Sequence, residues 1–198
     1  MRESARSKTW VAVAALCAST TAAVEAPKPR VVLTTALGAI VVELEPGRAP
    51  ETVAGFLRYV DEGRFQGATF YRVVREDNQP DNPVKIDVVQ GGLGFEENLR
   101  RLPPIAHETT ESSGLRHLDG TLSMARAEPG SASSEFFICV GDQPELDFGG
   151  RRNPDGQGFA AFGRVVEGME VVRAIHRLPA EGQFLREPVA ISAIRRAE

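Results

Sequence analysis

Three histidines, two cysteines and a run of serines are the side chains of this 198-residue chain with the most obvious reactive chemistry. His107, His117 and His176 do not fall at metal-ligand spacing, and an H-x9-H pair with one carboxylate nearby arises readily by chance. All three are expected as surface or loop histidines. Cys139 lies in FFICV, flanked by apolar residues, which predicts a buried and inert thiol. Gly91-Gly92-Leu93-Gly94 is glycine-rich, yet no Lys-Ser/Thr follows and no helix pattern opens there, so phosphate binding has little support. Ser131, Ser133 and Ser134 sit in a turn without the glycine frame of a hydrolase elbow. These residue types imply no metal and no cofactor.

The elements that must carry any site are mostly short strands. Residues 31–35 and 39–45 are β-rich, and in the second Ile40, Val42 and Leu44 alternate with Val41, Glu43 and Glu45, the period of a strand with one face inward. Pro50 opens a helix at its first position, and Val53, Phe56, Leu57 and Val60 form one apolar stripe that Gly63 ends. Further strands are predicted over 69–74, 85–90, 121–126, 136–140, 160–166 and 189–194. A second helix is predicted over 168–177 with Met169, Val172 and Ile175 inward. Residues 75–83 read as a polar loop and 93–117 as irregular. Many short strands with two separated amphipathic helices predict a mainly β protein, an antiparallel barrel closed or nearly so, with helices over its ends. Nineteen glycines and thirteen prolines, more than the usual share, suit the many turns this requires.

A formal charge of -4 lacks the basic footprint of a nucleic-acid binder, and two cysteines cannot build a disulfide framework. The N-terminus is a different kind of sequence. Arg2, Arg6 and Lys8 precede an apolar run from Trp10 to Ala18, and small residues follow up to Ala23. These are the three parts of a secretory signal peptide, and the run is far short of the ~20 residues that span a bilayer. Residues 1–23 are therefore expected as a signal peptide cleaved after Ala23, 24–30 as a linker, and 31–198 as one domain that is periplasmic or secreted, without stable membrane insertion. Leu16 before Cys17 is large where lipoprotein processing wants a small residue. Loss of 1–23 leaves Cys139 as the remaining cysteine, which suits an oxidising compartment.

Four segments then stand out together and in order: FYRVV at 70–74, VVQGG at 88–92, GTLSMARAEPGSASSEFFI at 120–138 and GFAAFGRVVEGMEVV at 158–172. On these the chain, from about 31 to 194, closely resembles the cyclophilins, the cyclosporin-binding class of peptidyl-prolyl cis-trans isomerases, and among them the bacterial branch with its exported members. The resemblance implies an eight-stranded antiparallel closed β-barrel capped by two α-helices, with a substrate groove on the outside of the barrel. It implies that Arg72 is the catalytic arginine and Gln90 the groove glutamine. Phe137 and Leu146 correspond to the apolar proline pocket, and Ala125, Arg126 and Ala127 to the groove lining, partly through backbone groups that pair with a bound peptide. The partners implied are unfolded or proline-containing polypeptides, met by a monomer.

The chain departs from the family at several groove positions. Tyr71 replaces the usual histidine beside the arginine, and Phe159 stands in for the groove histidine. Asp87 and Val88 stand where Phe-Met usually precede Q-G-G, which predicts a smaller and partly acidic pocket wall. Glu135 replaces the glutamine of Q-F-F and would add a negative charge beside the groove. Glu145 occupies the position where cyclosporin-sensitive members carry tryptophan. The expected function is isomerisation of X-Pro bonds in the folding of exported proteins. The alternative, motivated by Asp87, Glu135 and Phe159, is a non-catalytic chaperone or Pro-peptide-binding module on the same barrel.

Overall fold

The computed structural model describes residues 27–197; the expected signal peptide and its cleavage site lie outside them. Among the described residues nine strands form, β1 (Arg30–Thr35), β2 (Gly38–Leu44), β3 (Thr69–Val74), β4 (Val88–Gly92), β5 (Thr121–Met124), β6 (Phe136–Cys139), β7 (Ala160–Glu167), β8 (Ala180–Glu181) and β9 (Phe184–Arg196). Their order is β1-β2-β7-β5-β6-β4-β3-β9, and β9 pairs back onto β1, so eight antiparallel strands close a barrel without free edges. The two-residue β8 is an appendage, joined to β9 by a tight turn at Gly182-Gln183.

Strand alternation sorts the residues between the barrel interior and its outer face. Ile40, Val42 and Leu44 point inward, as do Phe136 and Ile138 of β6. Phe137 and Cys139, one residue out of phase, join a second apolar cluster with Val74, Ile86, Val88 and Leu146 outside the barrel. The interior is dominated by aromatic rings, with Phe56 5.1 Å from Phe162 and 5.7 Å, edge-on, from Phe136.

Helix α1 (Pro50–Asp61) covers one end of the barrel with the buried stripe Val53, Phe56 and Val60. Ala49 offers it no capping side chain. Glu108, from the segment that reads as irregular, supplies the cap instead: its carboxylate accepts from the Thr52 N–H at 2.8 Å, the Thr52 hydroxyl at 2.6 Å and the Glu51 N–H at 3.2 Å. Helix α3 (Met169–His176) buries Val172 and Ile175 at the other end. It starts from Gly168, whose φ of 88° and whose approach to Ala39 (an added Cβ would lie 2.3 Å from the carbonyl oxygen) leave room for glycine alone.

Several sequence expectations are corrected. The two expected helices are present, and among the described residues a third is added: Thr110–Ser113 makes a single turn, α2, capped by the Thr109 side chain on the Ser112 N–H. The strand expected over 85–90 starts at Val88, because the buried Gln79 donates to the carbonyls of Arg75 and Ile86 and holds the chain before it as a loop. The last strand begins at Phe184, well before the expected 189. His117 lies in a loop but is buried, and His176 is a buried helix residue with Nε2 3.0 Å from the Val74 carbonyl. Cys139 is buried, and burial pushes its thiol well up. Among the described residues no helix is long and apolar enough to cross a membrane, and no cluster of His, Cys, Asp or Glu could hold a metal.

Candidate active site

The site begins with a break in β3. Against β4, Phe70 pairs with Gly91 and Arg72 with Gln90, so Tyr71 is an extra residue in the strand on that side. Phe70 and Val73 stay in the core, while Tyr71 and Arg72 can both serve the outer face, which regular alternation would forbid. Cross-strand pairing then lines up a row: Arg72 opposite Gln90, Gln90 opposite Phe137, Phe137 opposite Ser123. Neighbours in such a row are close enough to touch across adjacent strands.

Arg72 Nη1 donates to Gln90 Oε1 at 2.6 Å. From the opposite side Gln183 Oε1 accepts from Arg72 Nε at 3.0 Å and also from Nη2. Both partners are neutral amides, and burial pulls the guanidinium below its ordinary pKa while leaving it protonated. Gln90 is in turn fixed by Nε2 donating to the Tyr71 hydroxyl at 2.8 Å, and that hydroxyl donates to Glu135 Oε2 at 2.6 Å. The other oxygen of Glu135 accepts from the Leu93 N–H at 2.9 Å and the Ser134 hydroxyl at 2.8 Å, with Arg101 3.8 Å away. Burial raises the Glu135 carboxyl in spite of these donors, and burial together with that carboxylate raises the Tyr71 phenol.

Beside the arginine lies an apolar floor of Phe137, Leu146 and Val88, all buried. Phe137 is held from two directions. The His117 ring stacks on it at 5.9 Å and 18°, and Phe159 meets it edge-on at 5.3 Å. His117, 1% exposed, is itself locked: Nδ1 donates to Asp147 at 2.7 Å and Nε2 lies 2.9 Å from the Ser123 hydroxyl. Arg126 lies 5.2 Å over the Phe159 ring, donates to the Gly158 carbonyl and makes a two-pronged contact with Asp155 at 2.8 and 3.0 Å.

All ten residues picked out from the sequence, Arg72, Val88, Gln90, Ala125, Arg126, Ala127, Glu135, Phe137, Leu146 and Phe159, line one open cavity of about 540 Å³. A larger cleft of about 700 Å³ between 110–116 and 144–151 contains none of them. The backbone N–H groups of Ala125 and Ala127 are engaged by the Glu135 carbonyl and the Ser131 hydroxyl. Those two N–H groups are therefore satisfied within the chain.

One expectation about the wall is overturned. Asp87 does not line the cavity; it faces α3, with Oδ1 3.5 Å from His176 Nε2, while Ile86 and Val88 on either side supply an apolar wall. The Glu135 carboxylate lines the cavity, where it is bonded into the Tyr71 network. Glu145 binds Arg151 at 2.6 Å and belongs to the other cleft. Gln183 is missing from the sequence reading. Its one local signal is Gly182, with φ 57°, at the first central position of a two-residue hairpin turn.

The family model for cyclophilin type peptidyl-prolyl cis-trans isomerase/CLD matches residues 30–196. Peptidyl-prolyl cis-trans isomerase A of Dickeya dadantii is 38% identical over 175 residues, covering 86% of this chain and 83% of that protein. Peptidyl-prolyl cis-trans isomerase B of Escherichia coli is 38% identical over 142 residues, covering 70% and 78%. A Cryptosporidium parvum cyclophilin type isomerase, crystallised in the presence of the dipeptide Ala-Pro, superposes with a TM-score of 0.68 at 20% identity, over 85% of this chain and 99% of that one, a likeness of fold. With barrel, groove and matched segments in agreement, this chain belongs to the cyclophilin-type peptidyl-prolyl cis-trans isomerases.

Proposed function

We propose that this chain accelerates cis-trans isomerisation of X-Pro bonds in polypeptides of an exported compartment, with Arg72 as the catalytic residue and a single chain as the working unit. The observation that carries the chemistry is the Arg72 guanidinium, clamped between Gln90 and Gln183 at the edge of the Phe137 and Leu146 floor. Rotation about the X-Pro bond is opposed by ~20 kcal/mol because resonance gives C–N double-bond character. In the twisted transition state the prolyl nitrogen becomes pyramidal and regains a lone pair. The clamp engages Nε and one hydrogen on each terminal nitrogen, which leaves one N–H on Nη1 and one on Nη2 for the substrate. A donor held there meets the lone pair more strongly than it meets the planar amide, and that difference lowers the barrier. Phe137 and Leu146 hold the pyrrolidine ring while the preceding carbonyl swings.

Export is supported by the basic, apolar and small-residue order of 1–23 and by the single cysteine that follows it. Completeness of the groove within one chain supports action as a monomer. An NMR exchange or protease-coupled assay on an X-Pro peptide tests the chemistry. Arg72→Ala is expected to lower kcat/KM on the order of 10²-fold; parent and variant turning over equally would refute the role of Arg72. N-terminal sequencing of protein recovered from the periplasm or medium tests export, with Val24 expected first.

A further inference from the structure

The far wall of the cavity is built from two long loops, 75–87 and 147–159, and Arg152 staples them together. Its Nη1 donates to Gln79 Oε1 at 2.7 Å and to the Val84 carbonyl at 2.6 Å. The frame is rigid, since Gln79 is buried and tied to Arg75 and Ile86, and the Arg152 N–H donates to the Glu145 carbonyl at 3.1 Å.

Arg152 differs from its charged neighbours in having no counter-charge. Arg126 in the same cavity is matched by Asp155, and Arg151 next in sequence by Glu145. Among the described residues no carboxylate lies within 4.0 Å of Arg152 or of Arg72, and Arg152 Nε and Nη2 have no hydrogen-bond partner. Those two N–H groups form the side edge of the guanidinium, the fork that takes the two oxygens of a carboxylate. Burial and the charge on Arg72 both pull the Arg152 guanidinium down from its ordinary value, so two like charges face one cavity with neutral partners only. Such a pair lacks the compensation that half-buried charges need, and a bound anion would supply it.

We propose that Arg152 forms a subsite for an acidic side chain of the bound polypeptide, an Asp or Glu close in sequence to the proline. The groove then selects proline segments flanked by a carboxylate. This rests on the groove being the substrate site of an isomerase.

The experiment compares peptides that differ at one place at a time on either side of the proline, with Glu, Gln or Lys there. Turnover is followed by NMR exchange and affinity by titration. At one of these places Glu is expected to exceed Lys in kcat/KM by about fivefold to tenfold, and the preference should shrink as salt rises. Arg152→Gln is expected to bring the Glu-to-Lys ratio close to one, and Arg152→Lys to keep part of it. Equal handling of Glu and Lys everywhere by the parent, or a ratio that survives R152Q, overturns the subsite. The salt dependence is read on the parent protein and so does not depend on how R152Q folds. Turnover without a Glu preference removes the subsite alone; Glu-dependent binding without turnover of any peptide removes the isomerase reading and keeps the subsite.

Discussion

The Tyr71 hydroxyl donates to Glu135 at 2.6 Å, and through that bond a partly buried carboxylate sets how Gln90 meets Arg72. An ionised carboxylate can only accept, so the phenol must donate to it and is left to accept from Gln90 Nε2. That fixes the Gln90 amide with its oxygen toward Arg72. The two unusual groove residues, Tyr71 and Glu135, thus act together, and their joint effect is on the orientation of a third and fourth residue.

Tyr71→Phe removes the hydroxyl from the middle of this chain and keeps the ring. We expect kcat to fall about tenfold, with KM changed far less, because Arg72 loses orientation rather than substrate contacts. Stability should drop by about 1–3 kcal/mol, since Glu135 and Gln90 each lose a partner in a buried place. Steady-state assays and denaturant unfolding check the two parts.

The raised pKa of Glu135 predicts a pH dependence with a definite sign. A carboxyl that holds its proton more tightly when folded makes stability fall as pH rises, from the ordinary value of about 4 up to its folded pKa. Glu135→Gln should therefore gain stability relative to the parent as pH rises through that interval. The acid limb of the parent's rate profile, where protonation frees Tyr71 from donating, should be absent in the variant. Superimposable profiles would refute the link.

Gln183→Ala removes the second clamp on Arg72 and touches neither the apolar floor nor Gln90. A loss of about tenfold in kcat at nearly constant KM is expected, with the barrel intact by circular dichroism.

Leu146→Ala opens the apolar floor of the cavity. The side chain is fully buried, so a loss of about 2–5 kcal/mol is expected together with a raised KM. Thermal unfolding and substrate titration read these separately.

Glu145, paired with Arg151 and facing away from the groove, predicts weak binding of cyclosporin. Nanomolar inhibition in the isomerase assay would contradict this, and Glu145→Trp should increase the inhibitor's affinity.

The sequence by itself determined the class of fold, where most of the barrel strands lie along the chain, and ten of the residues that line the groove. Strand alternation and helical stripes are local, so Ile40-Val42-Leu44 and Phe56-Val60 announce their inward faces without reference to anything distant. Three of the four matched segments carry Arg72, Gln90 and Phe137, and the Leu-Asp pair at 146–147 carries Leu146. What tertiary structure alone decided are the relations between residues far apart along the chain. The Glu108 cap on α1, the Gln183 clamp on Arg72 and the Arg152 staple between two loops each join segments whose spacing carries no periodic signal. The facing of Asp87 and Glu135 belongs with these: a carboxylate points where a distant donor or an apolar wall directs it, and neither is encoded beside it.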